Sequence, residues 1–539
     1  MDKKIKYILF SIILLLLVLP AIQNQFHLFS IKPLKGDFVP APKPELNANN
    51  WFNGEYQAKY DDFLEQHIGL RSSLVRLNNQ IDFSLFKKPN AEGIVIGKKR
   101  HMYEADYIRA YLGNDFVGKS IIDKKLGRFK FLQQHLKDEY DIDLILVFEP
   151  GKASFYPEYI PDHYNISGKT ITNYEYYTQK ADELDIRHID FNKYYKTLKN
   201  TARYPIYTKN GVHWSIYGMT FAADSIINYI EYIRQIDMPE MYLDRWELSV
   251  IPRRTDNDVS KTMNLFWEPP LDTMAYPVYS YEVNEKKDRP MVLVIGDSFY
   301  WNIFNTGLPK NLFGNEAFWY FYSKVYPDNY IKPVNVGDLD IKSEIEKQDV
   351  VFLMVTERFM YIFDWGFTDD LYELYAPTSL WDKLYRIRIG ITKDNEWFNH
   401  VINKARSKGL SLEEMMYLDA KYIMMMNDLD NYLALFGHEY FEEKIKSDPN
   451  WYNSIKEKAA EQKVTVEEML RQNADYLFRK NNPGAFEKYY AIKQIENNIR
   501  ADSALFGHIK EKAKNFRLTI DEMIRCDAEF AYEERNSDQ

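Results

Sequence analysis

Polar and apolar residues follow one another along the chain in four successive patterns, and the first resembles a signal sequence. Three lysines between positions 3 and 6 precede an apolar run over residues 7–22. The run is at the short end of the roughly 20 residues that a membrane-spanning helix needs. Ala21-Ile22-Gln23, which ends it, is a poor cleavage site. We therefore expect residues 1–25 to form an uncleaved signal-anchor or transmembrane helix, with a cleaved signal peptide as the alternative.

The second pattern separates this apolar run from the rest of the chain. Residues 26–50 are interrupted by prolines and asparagines, which predicts an extended spacer. From Trp51 to Phe86 apolar residues recur at three- and four-residue spacing, which predicts helices. Because basic residues flanking a membrane segment stay in the cytoplasm, the residues beyond 25 are expected outside the cytoplasmic membrane, in the periplasm or an equivalent extracytoplasmic space.

The third pattern alternates short apolar segments with helical ones. Strands are predicted at 94–97, 142–148, 187–191, 290–295 and 349–355, and helices at 124–139, 174–184 and 216–233. Continuously apolar strands separated by helices are typical of a parallel sheet that helices cover on both sides. The sequence therefore predicts an α/β domain over residues 51–380. Ligand sites of such sheets lie at the carboxyl ends of the strands, where polar residues cluster in this chain.

The fourth pattern is an internal repeat. Trp397, Trp451 and Leu505 occupy equivalent positions 54 residues apart, and similar residues follow each of them. Ser411, Thr465 and Thr519 each stand two residues before an acidic residue, as helix N-caps do. We therefore predict a three-fold helical repeat module over residues 381–539, with a structural or interaction role.

Composition narrows the possible functions. A chain of 539 residues exceeds one ordinary domain, and its net charge of −10 makes a nucleic-acid partner unexpected. Aromatic residues make up 16% of the chain, which suits both core packing and contacts with sugar rings. Cys526 is the one cysteine, so no intramolecular disulfide can form. Because no His/Cys cluster has metal-ligand spacing and no phosphate-binding glycine motif occurs, no metal and no cofactor are expected.

Two motifs could carry nucleophilic chemistry. Ser298 lies in Gly-Asp-Ser-Phe at the end of a predicted strand, where backbone N–H groups can hold an oxyanion. A serine hydroxyl needs a base, and His213, at a loop-to-helix junction, is the leading candidate. A chance turn for the serine and a helix-capping role for the histidine are the structural alternatives.

A third residue would orient the imidazole, and the motifs leave its identity open. Four residues close in sequence or at strand ends are candidates for this acid: Asp297, Asn210, Asp190 and Glu149. Seven further residues near strand ends or beside the motifs are candidates for substrate binding or an oxyanion role, with core packing or surface ion pairs as the alternative: Gly296, Lys152, Glu357, Arg358, Tyr300, Trp301 and Trp214.

Several ordered blocks between Trp51 and Tyr361 resemble the SGNH hydrolase-like alginate O-acetyltransferase family, the AlgJ/AlgX-type envelope proteins. The blocks are Gly69-Leu70-Arg71, Val95-Ile96-Gly97-Lys98, Pro150-Gly151-Lys152 with Tyr156-Pro157-Glu158, His213-Trp214, Gly296-Asp297-Ser298-Phe299 and Glu357-Arg358-Phe359. The resemblance implies an SGNH-like fold in which Ser298 is the nucleophile and His213 the base. It also implies acetyl transfer to an exported polysaccharide, with a multipass membrane O-acyltransferase as the acetyl supplier.

The chain departs from this family at two places. The family's acid usually stands two residues before the histidine, where this sequence has Gly211. The helical repeats replace the carbohydrate-binding module of some members. Three functions therefore follow: an O-acetyltransferase acting on a cell-envelope glycan, a glycan acetyl-esterase, or a catalytically decayed scaffold or glycan-binding protein.

Overall fold

A computed structural model describes residues 3–36, 40–164, 168–328, 332–375, 380–516 and 520–537. Ten strands form in these residues: β1 Ile94–Ile96, β2 Met102–Glu104, β3 Asp143–Glu149, β4 His188–Asp190, β5 Met241–Ser249, β6 Met274–Tyr281, β7 Val292–Gly296, β8 Ala317–Tyr320, β9 Lys324–Tyr326 and β10 Val350–Thr356.

A six-stranded sheet in the order β4-β3-β10-β7-β8-β9 forms the centre of the α/β part. All its neighbouring strands are parallel except β8 and β9, which form an antiparallel pair. Every residue of β3, β7 and β10 is buried, because helices cover both faces of the sheet. The predicted α/β fold class, with a mostly parallel sheet, is therefore confirmed.

Helices account for most of the remaining chain. The α-helices of the N-terminal and α/β parts are Lys3–Phe26, Ala48–Phe52, Glu55–His67, Arg71–Ile81, Ala105–Leu112, Lys119–Tyr140, Lys152–Phe155, Asn173–Glu183, Phe191–Leu198, Ile216–Arg234, Asp258–Thr262, Tyr300–Phe304, Leu308–Leu312, Ile341–Ile345 and Phe367–Tyr375. Those that follow are Leu380–Lys393, Asn395–Lys408, Leu412–Asn427, Leu429–Lys446, Pro449–Gln462, Val466–Asn481, Pro483–Ala501, Ser503–Phe516 and Ile520–Ser537.

The sheet separates two hydrophobic cores. Alternate residues of β3 point to opposite faces, so Ile145 and Val147 join one core while Leu144 and Leu146 join the other. Helix Ile216–Arg234 packs into the first core and helix Lys119–Tyr140 into the second. This two-sided burial explains why the central strands are apolar at every position.

Predicted strands at 94–97, 142–148, 187–191, 290–295 and 349–355 all form, with ends shifted by no more than about three residues. The sequence prediction missed β2, the antiparallel pair β5–β6, the strand β8 and the edge strand β9. Ala317–Tyr320 is a four-residue segment without alternation, so its strand character depends on pairing with β7.

The helical C-terminal part follows the predicted caps as far as it is described. Ser411 and Thr465 both accept a hydrogen bond from the backbone N–H three residues on, as N-caps do, whereas Thr519 lies outside the described residues. Phe398 and Met415 of the first repeat belong to the second core of the sheet. Helices Asn395–Lys408 and Leu412–Asn427 therefore share a core with the α/β part, and the helices that follow them pack through two further cores.

Helix Lys3–Phe26 is long and apolar enough to cross a membrane, judged by length and composition. None of its most apolar 18-residue window is buried within the protein. Such a helix near the N-terminus is a candidate signal anchor.

A buried ion-pair network joins helix Lys119–Tyr140 to the segment after β10. Lys125 is bonded to Asp364, and Arg128 Nη1 donates to Asp369 Oδ1 at 2.6 Å. We expect Lys125→Met to lower the free energy of unfolding by about 3–5 kcal/mol, because Asp364 would stay buried without its nearest cation. Lys59→Met, which breaks an exposed pair with Glu55, should leave the free energy of unfolding nearly unchanged, because water screens that pair.

Denaturant unfolding followed by circular dichroism in detergent measures both variants. Equal midpoints for Lys125→Met and Lys59→Met would contradict a stabilising role of the network.

Candidate active site

The structure places Ser298 at the carboxyl end of β7, near the middle of the sheet. Gly296 ends β7, and Asp297 turns the chain by accepting a hydrogen bond from Phe299 N at 2.9 Å. The second oxygen of Asp297 accepts bonds from the backbone N–H of Thr356, at 2.9 Å, and from its hydroxyl group. The turn that presents Ser298 is therefore bonded to the end of the neighbouring strand β10.

His213 reaches Ser298 from a separate loop. Its Nε2 lies 2.7 Å from Ser298 Oγ, a hydrogen-bond distance. Trp214, which is fully buried, packs edge-on against Phe299 with ring centroids 5.1 Å apart. Ser215 then caps helix Ile216–Arg234 by accepting from Gly218 N at 2.9 Å. The buried tryptophan and the capped helix that directly follow His213 therefore fix the backbone that carries the imidazole.

Asp258 completes the arrangement, and the sequence analysis did not identify it. Its Oδ2 is hydrogen-bonded to His213 Nδ1. Its Oδ1 accepts from Val212 N at 3.1 Å and from Val259 N at 2.7 Å, which fixes the carboxylate. Asp258 begins the short helix Asp258–Thr262, 45 residues beyond His213 in the sequence. No local motif marks it, because only the folded loop brings it to the imidazole.

Gly211 explains why the acid does not stand two residues before the histidine. A Cβ atom at position 211 would lie 2.7 Å from Asp258 Oδ1, 2.7 Å from Thr255 O and 2.9 Å from Thr208 Oγ1. Real Cβ atoms do not approach other heavy atoms this closely, so a side chain here would displace the Asp258 carboxylate. The glycine at 211 and the aspartate at 258 are therefore complementary features of one site.

None of the four predicted acids is the partner of His213. Asp297 supports the serine turn, and Asn210 Nδ2 donates to Pro269 O at 2.6 Å. Asp190 caps helix Phe191–Leu198 by accepting from Lys193 N. Glu149 is buried at the end of β3, within 3.4 Å of the Thr356 hydroxyl. These carboxylates and the amide are already used in turns, caps and the sheet edge.

Two buried carboxyls lie behind Ser298. Burial raises the pKa of Glu149 well above its usual range, and the neighbouring Asp297 raises it further. Burial also raises the pKa of Asp297, although its bonds from Phe299 and Thr356 oppose this effect. Burial and the neighbouring Asp297 therefore both favour the neutral form of Glu149 behind the serine.

Lys152, which was predicted as a substrate or oxyanion contact, lies in the interior beside the loop that carries His213. It is fully buried and donates to the carbonyls of Lys209, at 3.1 Å, and Gly211, at 2.6 Å. Burial lowers the pKa of this amine to about 7, and Asp258 opposes the effect. Lys152 therefore supports the loop that leads to His213.

The other residues predicted as substrate or oxyanion contacts are either core residues or partly buried side chains with partners inside the protein. Trp214 and Tyr300 are core residues, and Gly296 is buried where a Cβ would lie 3.2 Å from Met354. Glu357 is buried and accepts from Ser154 Oγ at 2.6 Å. Arg358 is paired with Glu104, and Trp301 is half-buried, edge-on to Tyr326 with centroids 4.6 Å apart. Within the described residues, each of these side chains therefore packs in the core or contacts another protein side chain.

The assembled groups can activate a serine hydroxyl. His213 Nε2 can accept the Ser298 proton, while Asp258 holds the proton on Nδ1 and stabilises the imidazolium that forms. His213 is 12% and Asp258 22% exposed, so the arrangement lies at the surface and not in the core.

We expect Gly211→Ala to slow modification of Ser298 by phenylmethylsulfonyl fluoride about 10²-fold, because the new Cβ would displace Asp258 and with it the imidazole. Gly337→Ala is the matched control, since nothing lies within 4 Å of a Cβ there. Mass spectrometry of the intact protein measures the labelling rate. Equal rates for the wild type and Gly211→Ala would show that Ser298 reactivity does not depend on the position of Asp258.

Comparison with known proteins matches residues 94–309 to the family described as SGNH hydrolase-like domain, acetyltransferase AlgX. No curated protein sequence matches the chain. Among solved structures, the O-acetyltransferase domain of Pseudomonas putida AlgJ is 14% identical, with a TM-score of 0.34 over 52% of this chain and 99% of that one. Pseudomonas aeruginosa AlgX is 11% identical, with a TM-score of 0.33 over 51% and 67%.

Bacillus cereus PatB1 is 12% identical, with a TM-score of 0.29 over 46% of this chain and 93% of that one. The family match spans β1 to β7 and includes Ser298, His213 and Asp258. The segment that carries these three residues is thus similar to the SGNH hydrolase-like domain of the acetyltransferase AlgX, as the sequence motifs predicted.

Proposed function

We propose that the protein is an O-acetyltransferase that acts on a cell-envelope or exported polysaccharide through an acetyl-serine on Ser298. The observation that carries the proposal is the hydrogen-bonded series Ser298–His213–Asp258 inside a segment that matches an acetyltransferase family. Both imidazole nitrogens of His213 have partners, and Gly211 leaves the space that the Asp258 carboxylate occupies. This complementarity favours a catalytic protein over a scaffold.

In the first half-reaction, Ser298 Oγ attacks the acetyl carbonyl of the donor while His213 Nε2 takes its proton. Collapse of the tetrahedral intermediate breaks the bond to the leaving group, which takes the proton from His213. In the second half-reaction, a glycan hydroxyl attacks the acetyl-serine and gives its proton to His213. The imidazole returns that proton to Ser298 Oγ as the acetyl group leaves on the glycan.

The same residues would support a glycan acetyl-esterase if water replaced the glycan hydroxyl in the second half-reaction. The two functions differ in how well the site excludes water from the acetyl-serine. The family match favours the transferase, because the matched family is described as an acetyltransferase.

We further propose that the protein is held at the outer face of the cytoplasmic membrane by helix Lys3–Phe26. What supports this is the length and apolar composition of the helix and the three lysines before its apolar run. A membrane-held acetyltransferase requires an acetyl donor on its own side of the membrane. A multipass membrane O-acyltransferase is the supplier that we propose.

We expect Ser298→Ala and His213→Ala to lower hydrolysis of 4-nitrophenyl acetate about 10⁴-fold or more, because each removes a group that takes part in bond formation or proton transfer. Asp258→Asn should lower it about 10³- to 10⁴-fold, because the amide favours the wrong imidazole tautomer. Asp190→Asn is the control, and it should stay within about two-fold, because asparagine also caps helices.

Mass spectrometry after a brief reaction should find one acetyl group on the peptide that contains Ser298. Adding a panel of cell-envelope oligosaccharides should then remove the acetyl group faster than buffer does, with an acetylated sugar as product. Loss of the acetyl group to water at an unchanged rate would favour the esterase. A folded wild type that neither hydrolyses the ester nor becomes acetylated would contradict both enzyme functions.

A further inference from the structure

A stripe of apolar side chains faces solvent on helix Arg71–Ile81 and the turn Asp82–Phe86 that continues it. Leu74, Leu77, Ile81 and Leu85 are separated by three, four and four residues, which places them on one side of the helix. Their exposed fractions lie between 45% and 70%. We call these four residues the leucine stripe.

The stripe points away from the protein because the other side of the same helix contacts the α/β part. Asn79 is buried, and its Nδ2 donates to Met263 O at 2.9 Å. Phe83 is buried in the first core of the sheet. An amphipathic helix of a soluble protein turns its apolar side to the core, whereas here four apolar residues face outward.

Neighbouring apolar side chains extend this surface. Phe86 follows the stripe and is 70% exposed, and Trp267 is 74% exposed. Trp267 adjoins the helix that carries the stripe, since its backbone N–H donates to Gln80 Oε1 at 3.0 Å. Large exposed apolar patches mark surfaces that bind a protein, a membrane or a ligand.

The surface begins where the N-terminal helix ends. Gly69, two residues before helix Arg71–Ile81, lies against the carbonyl of Pro20 and against Asn24 N, which a Cβ at 69 would approach to 2.8 Å. Residues 20–24 form the last turns of helix Lys3–Phe26. If that helix crosses a bilayer, its end and Gly69 lie at the membrane surface, and the stripe starts there.

The charge of the segment that carries the stripe also fits a membrane surface. Residues 71–88 contain four basic residues (Arg71, Arg76, Lys87 and Lys88) and one acidic residue, Asp82. Interfacial helices combine an apolar side with such a basic excess on the polar side.

We propose that the leucine stripe, together with Phe86 and Trp267, lies in the interface of the lipid bilayer that helix Lys3–Phe26 crosses. The protein then contacts the membrane twice, through the spanning helix and through the apolar side of helix Arg71–Ile81, which lies parallel to the bilayer surface. This inference rests on the membrane location given under the proposed function, but it does not depend on catalysis.

The second contact orients the active site. Met263, which accepts the bond from Asn79, directly follows helix Asp258–Thr262, and that helix begins with the residue bonded to His213. The segment that supplies Asp258 therefore lies against the membrane-facing helix. The triad is held on the side of the α/β part that is near the bilayer, where a membrane-bound acetyl donor can deliver its group.

Site-directed fluorescence on the full-length protein in nanodiscs of phosphatidylcholine tests the proposal. In a Cys526→Ser background, which removes the one cysteine, Leu77→Cys and Leu85→Cys are labelled with a nitrobenzoxadiazole dye. Tyr476→Cys is the matched control, because Tyr476 is an exposed apolar side chain on helix Val466–Asn481 in the C-terminal repeats. Circular dichroism checks that each variant is folded.

We expect the dye at positions 77 and 85 to emit at shorter wavelength than at 476, and to lose about half or more of its intensity when lipids with a shallow doxyl quencher are included, since interfacial helices bury their apolar side to the acyl boundary. Quenching at 77 and 85 that is no greater than at 476 would overturn the proposal. A blue shift that arises only after solubilised membrane proteins are added would also overturn it, because the stripe would then bind a protein. Ester hydrolysis by the same samples reports separately on the proposed function.

Discussion

The bond network between Asp297 and Thr356 is the interaction on which the site depends. It joins the first residue after β7 to the last residue of β10 through both the backbone N–H and the hydroxyl of Thr356. The parallel register, in which Met354 pairs with Gly296 and Thr356 with Glu149, brings these strand ends to one edge. Because Asp297 is fully buried and bonded on both oxygens, the adjacent Ser298 cannot move without breaking buried hydrogen bonds.

The imidazole depends on a second set of buried polar contacts. The loop that carries it is held by Lys152, whose amine binds two carbonyls of that loop, and by Tyr207, whose hydroxyl donates to Pro150 O at 2.7 Å. Both contacts join the loop to the segment after β3. The serine follows β7 and the histidine loop is held at the end of β3, and β10 pairs with both strands and keeps them in register.

The C-terminal and the N-terminal helices differ in how extensively they contact the α/β part. Ser120 on the sheet-covering helix is bonded to Glu413 of the first repeat, and Arg109 Nη1 donates to Asn399 at 2.8 Å. These contacts and a shared core make the first repeat a support of the α/β part. The N-terminal helices make fewer buried contacts with it, and their apolar residues remain outward. The chain thus combines a helical C-terminal region packed on the α/β part with an N-terminal region whose apolar residues are exposed.

Sequence alone determined the features that depend on neighbours in the chain. Apolar runs predicted the central strands because residues buried on both faces leave a continuous signal, and caps such as Ser411 were recognised because they act within three residues. Ser298 and His213 could be predicted as site residues because each lies in a motif of its own, and the structure places them within hydrogen-bond distance of each other. Asp258 was found only in the tertiary structure, because its partner is 45 residues away and its own neighbours carry no motif. Tertiary structure alone likewise showed that Lys152 is a loop support and that Leu74, Leu77, Ile81 and Leu85 face outward. Hydrophobic periodicity places residues on one side of a helix, but only packing decides which side meets the core.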